Sequence, residues 1–177
     1  FAISSACNYV MAHTEPCLVI GLDTLLHKDT IDGFNAIMAL SELNEAPQKA
    51  SRPFDKERSG FVLSDGACAL FLEPKNTAEQ RGAKIYSTII GHAMTSEGYN
   101  IVAPEPEGKG MAATISKAIK SANIRVSDIK YISAHGTATI HNDIAETKAI
   151  KNVFGDYAYT IPISSQKSMI GHTIGAA

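Results

Sequence analysis

The sequence predicts a layered α/β fold, and three observations carry that expectation. Short continuous apolar runs alternate with stretches whose apolar residues recur at helical spacing. Gly or Asn stands where those helical stretches end. Histidine motifs follow directly on two apolar runs, and strand ends are where α/β folds place their chemistry.

The elements can be taken in chain order. Cys17–Gly21 is a short apolar run, as in a strand buried on both faces. Gly60–Glu73 reads either as two strand pieces joined by a Ser64-Asp65-Gly66 turn or as a hairpin. Asn76 is placed to cap a short helix, with Glu79 three residues on and Gly82 as its stop. Ile85–Gly91 is β-branched and aromatic and predicts a strand. Ser96–Gly110, rich in Gly, Pro and Glu, is the most loop-like stretch. Lys109–Ala122 aligns Met111, Ile115, Ala118 and Ile119 on one helical stripe, with Asn123 as terminator. Lys130–Ala134 predicts another strand. Asp143–Phe154 predicts a helix opened by an Asp143/Glu146 capping pair and closed at Gly155. Tyr159–Ser164 predicts a last strand, irregular or at an edge because of Pro162.

Composition narrows the function. Of 177 residues 45 % are apolar and 19 % charged, enough to build a core and too apolar for a disordered chain. Sixteen basic against 18 acidic side chains leave a net charge of −2, which argues against nucleic-acid binding. Cys7, Cys17 and Cys68 are an odd, scattered set without a C-x-x-C pair, so neither a disulfide framework nor a zinc ribbon is expected. That usage suits a reducing compartment, the cytoplasm. No apolar stretch is long enough to span a bilayer, and no secretory signal is recognisable. The chain opens on Phe1 inside an apolar run and closes on Gly175-Ala176-Ala177 in what reads as a helix start, so it is expected to be a piece of a longer protein.

Three places can carry chemistry. The small residues Ser4-Ser5-Ala6 lead into Cys7. At the mouth of a helix such a thiol has a lowered pKa and is a nucleophile; otherwise Cys7 is an ordinary buried cysteine. His135 follows the apolar run at Ile132, backed by Gly136, Thr137 and Thr139. Lys167 and His172 follow the run that ends at Ser164. Two strand-end histidines, a lysine and a cysteine form a set suited to acyl-thiol chemistry. A metal at His135, His141 and Asp143 fits no trusted zinc spacing, and no metal is assigned. No dinucleotide or phosphate-loop pattern occurs, so no nucleotide cofactor is expected. The mixed charges of Arg52–Arg58 read as a partner patch or as an ordinary salt-bridged surface.

On these residues the chain resembles a β-ketoacyl-acyl carrier protein synthase, an elongating condensing enzyme of thiolase-like fold. Ser5-Ala6-Cys7 resembles the nucleophile motif. Ala39-Leu40-Ser41, Ser51-Arg52-Pro53-Phe54-Asp55, Arg58, Gly60-Phe61-Val62 and Asp65-Gly66-Ala67 follow in the family's order. Then come Arg81–Tyr86, Ala103-Pro104, His135–Thr139 with Asn142, Asp143 and Glu146, and Lys167–His172 with Gly175-Ala176-Ala177. The departure is between Asn8 and Cys17, where about three helical turns of the family's pattern are absent. The family's first half and its C-terminal Gly-Phe-Gly loop are absent as well.

The resemblance implies a layered α/β/α/β/α fold, of which residues 1–177 form an incomplete part without an internal boundary. It implies decarboxylative Claisen condensation of an acyl thioester with malonyl-acyl carrier protein, in fatty acid or polyketide synthesis. Cys7 would take the acyl group, and His135 and His172 would stabilise the enolate. Lys167 would orient the site through a contact to Glu146, with Asp143 and Glu146 in supporting roles. Thr137 and Thr139 would hold the phosphopantetheine arm of the carrier protein, and a flexible Gly33-Phe34 segment would gate the acyl pocket. No cofactor is bound beyond that substrate arm. The partners implied are an acyl carrier protein and a second subunit, in a homodimer or in a heterodimer with a related chain. Two rivals stand beside this reading. One is another acyltransferase of the same fold. The other is a non-catalytic partner subunit of the chain-length-factor kind, which typically lacks the nucleophile.

Overall fold

Two small sheets organise the chain in the computed structural model, which describes residues 1–177. The elements are α1 (Ala2–His13), β1 (Cys17–Asp23), α2 (Lys28–Ala36), β2 (Gly66–Leu72), α3 (Lys75–Gln80), α4 (Lys109–Ala122), β3 (Ile132–Ser133), α5 (Ile140–Phe154), β4 (Ile163–Ser164) and α6 (Lys167–Ile170). β1 and β2 pair antiparallel, from Cys17 opposite Leu72 to Asp23 opposite Gly66. β3 and β4 pair in parallel, Ile132 opposite Ile163. Two single parallel bridges, Leu40 with Phe61 and Leu63 with His172, run the Phe61–Leu63 segment between the two halves.

Period-two alternation decides what the first sheet covers. Val19 is buried, and Gly21 on the same face lies under the chain end: a Cβ there would stand 2.8 Å from the Gly175 carbonyl oxygen. The other face carries Leu18, Ile20 and Leu22 with Phe71, all between 57 % and 64 % exposed. Cys17–Asp23 is thus the apolar strand the sequence predicts, with one face uncovered. The total surface is 11591 Å², against about 8,300 Å² for an ordinary folded chain of this mass. Only 27 residues are buried. They include two small apolar clusters, one of Leu25, Phe61 and Leu63, the other of Ile150, Phe154 and Ile161.

The helical half follows its pattern closely. α4 spans Lys109–Ala122 as expected, and Asn123 ends it in the left-handed region at φ 53°. It packs on α5 at its N-terminal end, where Gly108 has no room for a side chain: a Cβ would fall 2.2 Å from the Ala145 carbonyl. α5 ends at Gly155 but starts at Ile140, three residues before the expected Asp143. Thr139 is its cap, accepting the Asn142 N–H at 3.3 Å. α3 starts at Lys75 behind Pro74, so Asn76 lies inside the helix rather than capping it, while Gly82 stops it at φ 67°.

Apart from β1, the strands are shorter than the runs that predict them, or absent. Gly60–Glu73 is not a hairpin: its first piece makes only the two parallel bridges, and β2 pairs with β1. Ile85–Gly91 forms no strand, because a ladder needs a partner strand and none pairs with it; its Gly91 end lies against α4 instead. Tyr159 belongs to a 3₁₀ turn at Gly155–Tyr159, leaving Ile163–Ser164 as strand. Pro162 sits just before it and accepts the Ile132 N–H at 3.0 Å, a role that needs no donor. No helix is long and apolar enough to cross a membrane.

Candidate active site

Because β3 and β4 are parallel neighbours, their C-terminal ends deliver two connections side by side. The Ala134 N–H donates to the Ser164 carbonyl at 2.9 Å, and the two connections diverge from there. One carries His135–Thr139 into α5; the other carries Ser165–His172. The imidazoles of His135 and His172 meet nearly edge to face, centroids 5.5 Å apart at 82°.

The first connection is held in a shape that ordinary residues resist. Gly136 (φ 39°) and Ala138 (φ 68°) both lie in the left-handed region. A Cβ on Gly136 would stand 2.6 Å from Ser165 Cβ and 2.8 Å from the Phe54 ring. Hydrogen bonds fix the rest. The Glu146 carboxylate accepts the N–H groups of His135 (2.7 Å) and Gly136 (2.8 Å), and Ser165 Oγ donates to the Gly136 carbonyl at 2.8 Å. The Gly60 N–H donates to the Ala138 carbonyl at 3.0 Å. The Thr137 and Thr139 hydroxyls share a 2.9 Å hydrogen bond.

His172 is fixed at both main chain and ring. Its N–H donates to the Val62 carbonyl (2.7 Å), and its carbonyl accepts the Ser64 N–H (3.1 Å). Nδ1 accepts the Ile174 N–H at 3.1 Å, so the neutral ring carries its proton on Nε2. Phe61 packs edge-on at 5.1 Å. Burial first, then the Lys167 charge and His135, lower the His172 pKa to about 4. His135 stands exposed at the rim, yet crowding behind its ring lowers its pKa too, with Lys167 adding to the effect against Glu146 and Asp143. Both rings are therefore neutral at pH 7.

Lys167 is buried, and burial lowers its pKa against the attraction of Glu146 and Asp143. The expected Lys167–Glu146 contact is not formed. The Glu146 oxygens are taken by two backbone N–H groups and by Asn142 Nδ2 at 3.3 Å, so Lys167 acts on the site through its field alone. Asp143 is not a cap either. It is 2 % exposed and accepts the Phe54 N–H at 2.7 Å and Asn142 Nδ2 at 3.1 Å. Arg58 Nε lies 3.4 Å from its Oδ2. Arg58 also donates to the Thr139 carbonyl (3.2 Å) and the Ile140 carbonyl (3.1 Å). Part of the mixed-charge segment Arg52–Arg58 is thus site scaffold, not solvated surface. Its sequence gave no sign of this, because its partners lie more than 80 residues away.

Cys7 sits in the middle of α1, not at a helix mouth, so the helix N-terminus does not activate it. It is half-buried, and burial raises its thiol pKa. Cys17 is half-buried as well, whereas Cys68, in β2 opposite Gly21, is exposed. Gly33-Phe34 is helical, within α2, rather than a flexible segment. Phe34 packs edge-on against Phe61 at 5.3 Å, two rings removed from His172. His141, a member of the metal alternative, lies exposed on the first turn of α5, while Asp143 is engaged by Arg58.

Parallel strand ends thus present two neutral histidines beside a buried lysine, in a chain of the thiolase-like fold class. Residues 1–78 match the β-ketoacyl synthase N-terminal domain and residues 86–177 the β-ketoacyl synthase C-terminal domain. The chain belongs to the β-ketoacyl synthase family. It is 48 % identical over 145 residues to the 3-oxoacyl-acyl-carrier-protein synthase 2 of Synechocystis, covering 82 % of this chain and 35 % of that protein. It is 42 % identical over 175 residues to an oxytetracycline polyketide β-ketoacyl synthase 1 of Streptomyces rimosus, covering 98 % and 41 %. The chain thus spans 35–41 % of the length of these curated relatives. Among solved structures, it superposes with a TM-score of 0.95 and 39 % identity on a type II polyketide ketosynthase in complex with its acyl carrier protein, covering 98 % of this chain and 43 % of that one. A ketosynthase in complex with its chain length factor from Xenorhabdus doucetiae gives 0.82 and 32 %, covering 99 % and 40 %.

Proposed function

We propose that the protein containing this chain is a 3-oxoacyl-acyl carrier protein synthase, which joins an acyl group to a malonyl unit with loss of CO2. The observation that carries this reading is the pair of neutral imidazoles 5.5 Å apart, with His172 fixed as an Nε2–H donor. Cys7 sulfur attacks the acyl thioester, and the carrier thiol leaves. Malonyl thioester then binds. Its C–C bond to the carboxylate breaks, CO2 leaves, and the electron pair becomes an enolate whose oxygen meets the histidine donors. The enolate carbon attacks the acyl-Cys7 carbonyl, a new C–C bond forms, and Cys7 sulfur leaves. A neutral N–H donor meets charge that exists only as the bond breaks, which is differential stabilisation. Burial, with the Lys167 charge adding to it, keeps both rings unprotonated.

In this reading Thr137 and Thr139 hold the phosphopantetheine arm of an acyl carrier protein, and Phe34 borders the acyl pocket. A second subunit, identical or related, completes the enzyme. Unpaired Cys7, Cys17 and Cys68 suit the cytoplasm. The relatives include fatty-acid and polyketide synthases, and the chemistry is common to both. A partner subunit of the chain-length-factor kind is the contrasting reading; Cys7 together with both histidines speaks for catalysis. The test uses the full-length protein with acyl- and malonyl-carrier protein. Mass spectrometry should find the acyl group on Cys7, and CO2 release should match 3-oxoacyl product. Absence of both the adduct and CO2 would refute the enzyme reading in favour of the partner subunit.

A further inference from the structure

We infer that Phe54 is a positioning residue for His135, acting as a rigid plate behind the loop that carries it. Phe54 itself adopts a left-handed backbone, φ 65°, a strained conformation that is an outlier for a bulky residue. Such a conformation persists only where its surroundings impose it. Here the constraint is visible. The Phe54 N–H donates to Asp143 Oδ2 at 2.7 Å, and Asp143 is buried against Arg58 and Asn142. The strained backbone aims the ring at Gly136, close enough that a Cβ on that glycine would stand 2.8 Å from Phe54 Cε2.

Gly136 is the residue next to His135, and its own φ is 39°. Ser165 stands beside the ring at Gly136, its Oγ bonded to the Gly136 carbonyl, and the Glu146 carboxylate is bonded to the His135 and Gly136 N–H groups. Those hydrogen bonds fix the backbone but leave Gly136, with no side chain, free to shift toward any space behind it. The Phe54 ring fills that space. Removing it opens a cavity into which the loop can relax, and a shift of about 1 Å in a catalytic donor can reduce a rate by about a hundredfold. Phe54 touches no reacting atom; its effect passes through Gly136 to His135.

The inference rests on the proposed condensation, and the experiment separates the two. In the full-length protein, Phe54→Leu and Phe54→Tyr are compared with wild type for Cys7 acylation, malonyl-carrier-protein decarboxylation and thermal midpoint. Phe54→Leu should lose about tenfold or more in decarboxylation kcat while acylation stays within about twofold. Phe54→Tyr, which keeps the flat ring, should return decarboxylation to within about threefold. Equal loss in both half-reactions, or Phe54→Leu decarboxylating like wild type, overturns the inference. If Phe54→Leu does not fold, Phe54→Met, which keeps most of the volume without a rigid plate, is judged by the same criteria. If neither folds, the residue is structural and the inference falls. A wild-type protein that does not decarboxylate at all overturns the condensation reading instead.

Discussion

The backbone N–H of Ile174 donates to Nδ1 of His172 over 3.1 Å. A residue two positions on thus sets the tautomer of the ring and aims its Nε2–H outward. Protonating His172 would put a second hydrogen on Nδ1, facing the Ile174 N–H, so the geometry itself resists the cation.

The acid sensitivity of the fold follows. The folded pKa of about 4 lies below the ordinary value of about 6.5, so the unfolded chain takes up this proton first. Stability from neutral His172 is complete above pH 6.5 and is lost as pH falls through the window to 4, by on the order of 3 kcal/mol. Urea midpoints of the full-length protein at pH 7.5 and 4.5 should fall more for wild type than for His172→Asn. Equal slopes would show that His172 does not titrate there.

The two half-reactions should separate by mutation. His135→Ala and His172→Ala in the full-length protein should each slow decarboxylation by about 3 kcal/mol, roughly a hundredfold. Acylation of Cys7 should remain largely intact, because the enolate forms only in the second half-reaction. Quenched-flow mass spectrometry of Cys7 and CO2 release would measure both. Loss of acylation in either variant contradicts this division of labour.

Asp143 should prove the most expensive carboxylate to remove. Asp143→Ala leaves the Arg58 guanidinium without its carboxylate partner and the Phe54 N–H without its acceptor, in a site where Asp143 is 2 % exposed. A loss of about 3–5 kcal/mol is expected by chemical denaturation of the full-length protein. Thr139→Ala, which removes a helix cap and a hydroxyl–hydroxyl hydrogen bond to Thr137, should cost about 1–2 kcal/mol. If the two variants unfold alike, the Arg58–Asp143 pair contributes no more than a cap.

Helices α3, α4 and α5, the apolar strand at Cys17 and the histidine motifs were legible because each is written locally. Lys109–Ala122 carries its stripe and its Asn123 stop within one window, and the match is end to end. The errors fall where long-range structure decides. Asp143 has the position of a helix cap, but Arg58 and Phe54, remote in sequence, claim its carboxylate. Ile85–Gly91 has a strand's composition but no neighbour to pair with. The small residues that lead into Cys7 suggest a helix mouth there, whereas the helix already begins at Ala2. Candidate-site residues were found by type and motif; their geometry, above all the Glu146 bonds to the His135 loop, was invisible in one dimension.

Expressed alone, residues 1–177 should aggregate or remain molten. Leu18, Ile20, Leu22 and Phe71 form an uncovered apolar sheet face, and β1 and β2 have open edges. Light scattering and dye binding should report association at micromolar concentration. A soluble monomer with one sharp thermal transition would show instead that this piece is self-sufficient.

The clamps around the histidines also set an order of events during synthesis. Ser51 holds the Lys167 carbonyl across 116 residues, Phe54 meets Asp143 across 89, and Arg58 meets Thr139 across 81. At about 5–20 residues per second, the Ser51–Phe54 segment emerges from the ribosome roughly 4–23 s before its partners exist. Until then Phe54 has no acceptor to hold its left-handed backbone and relaxes to an ordinary extended or helical one. The imidazole pair therefore takes shape only after the second histidine motif has been made, well after the Ser51–Arg58 segment that braces it.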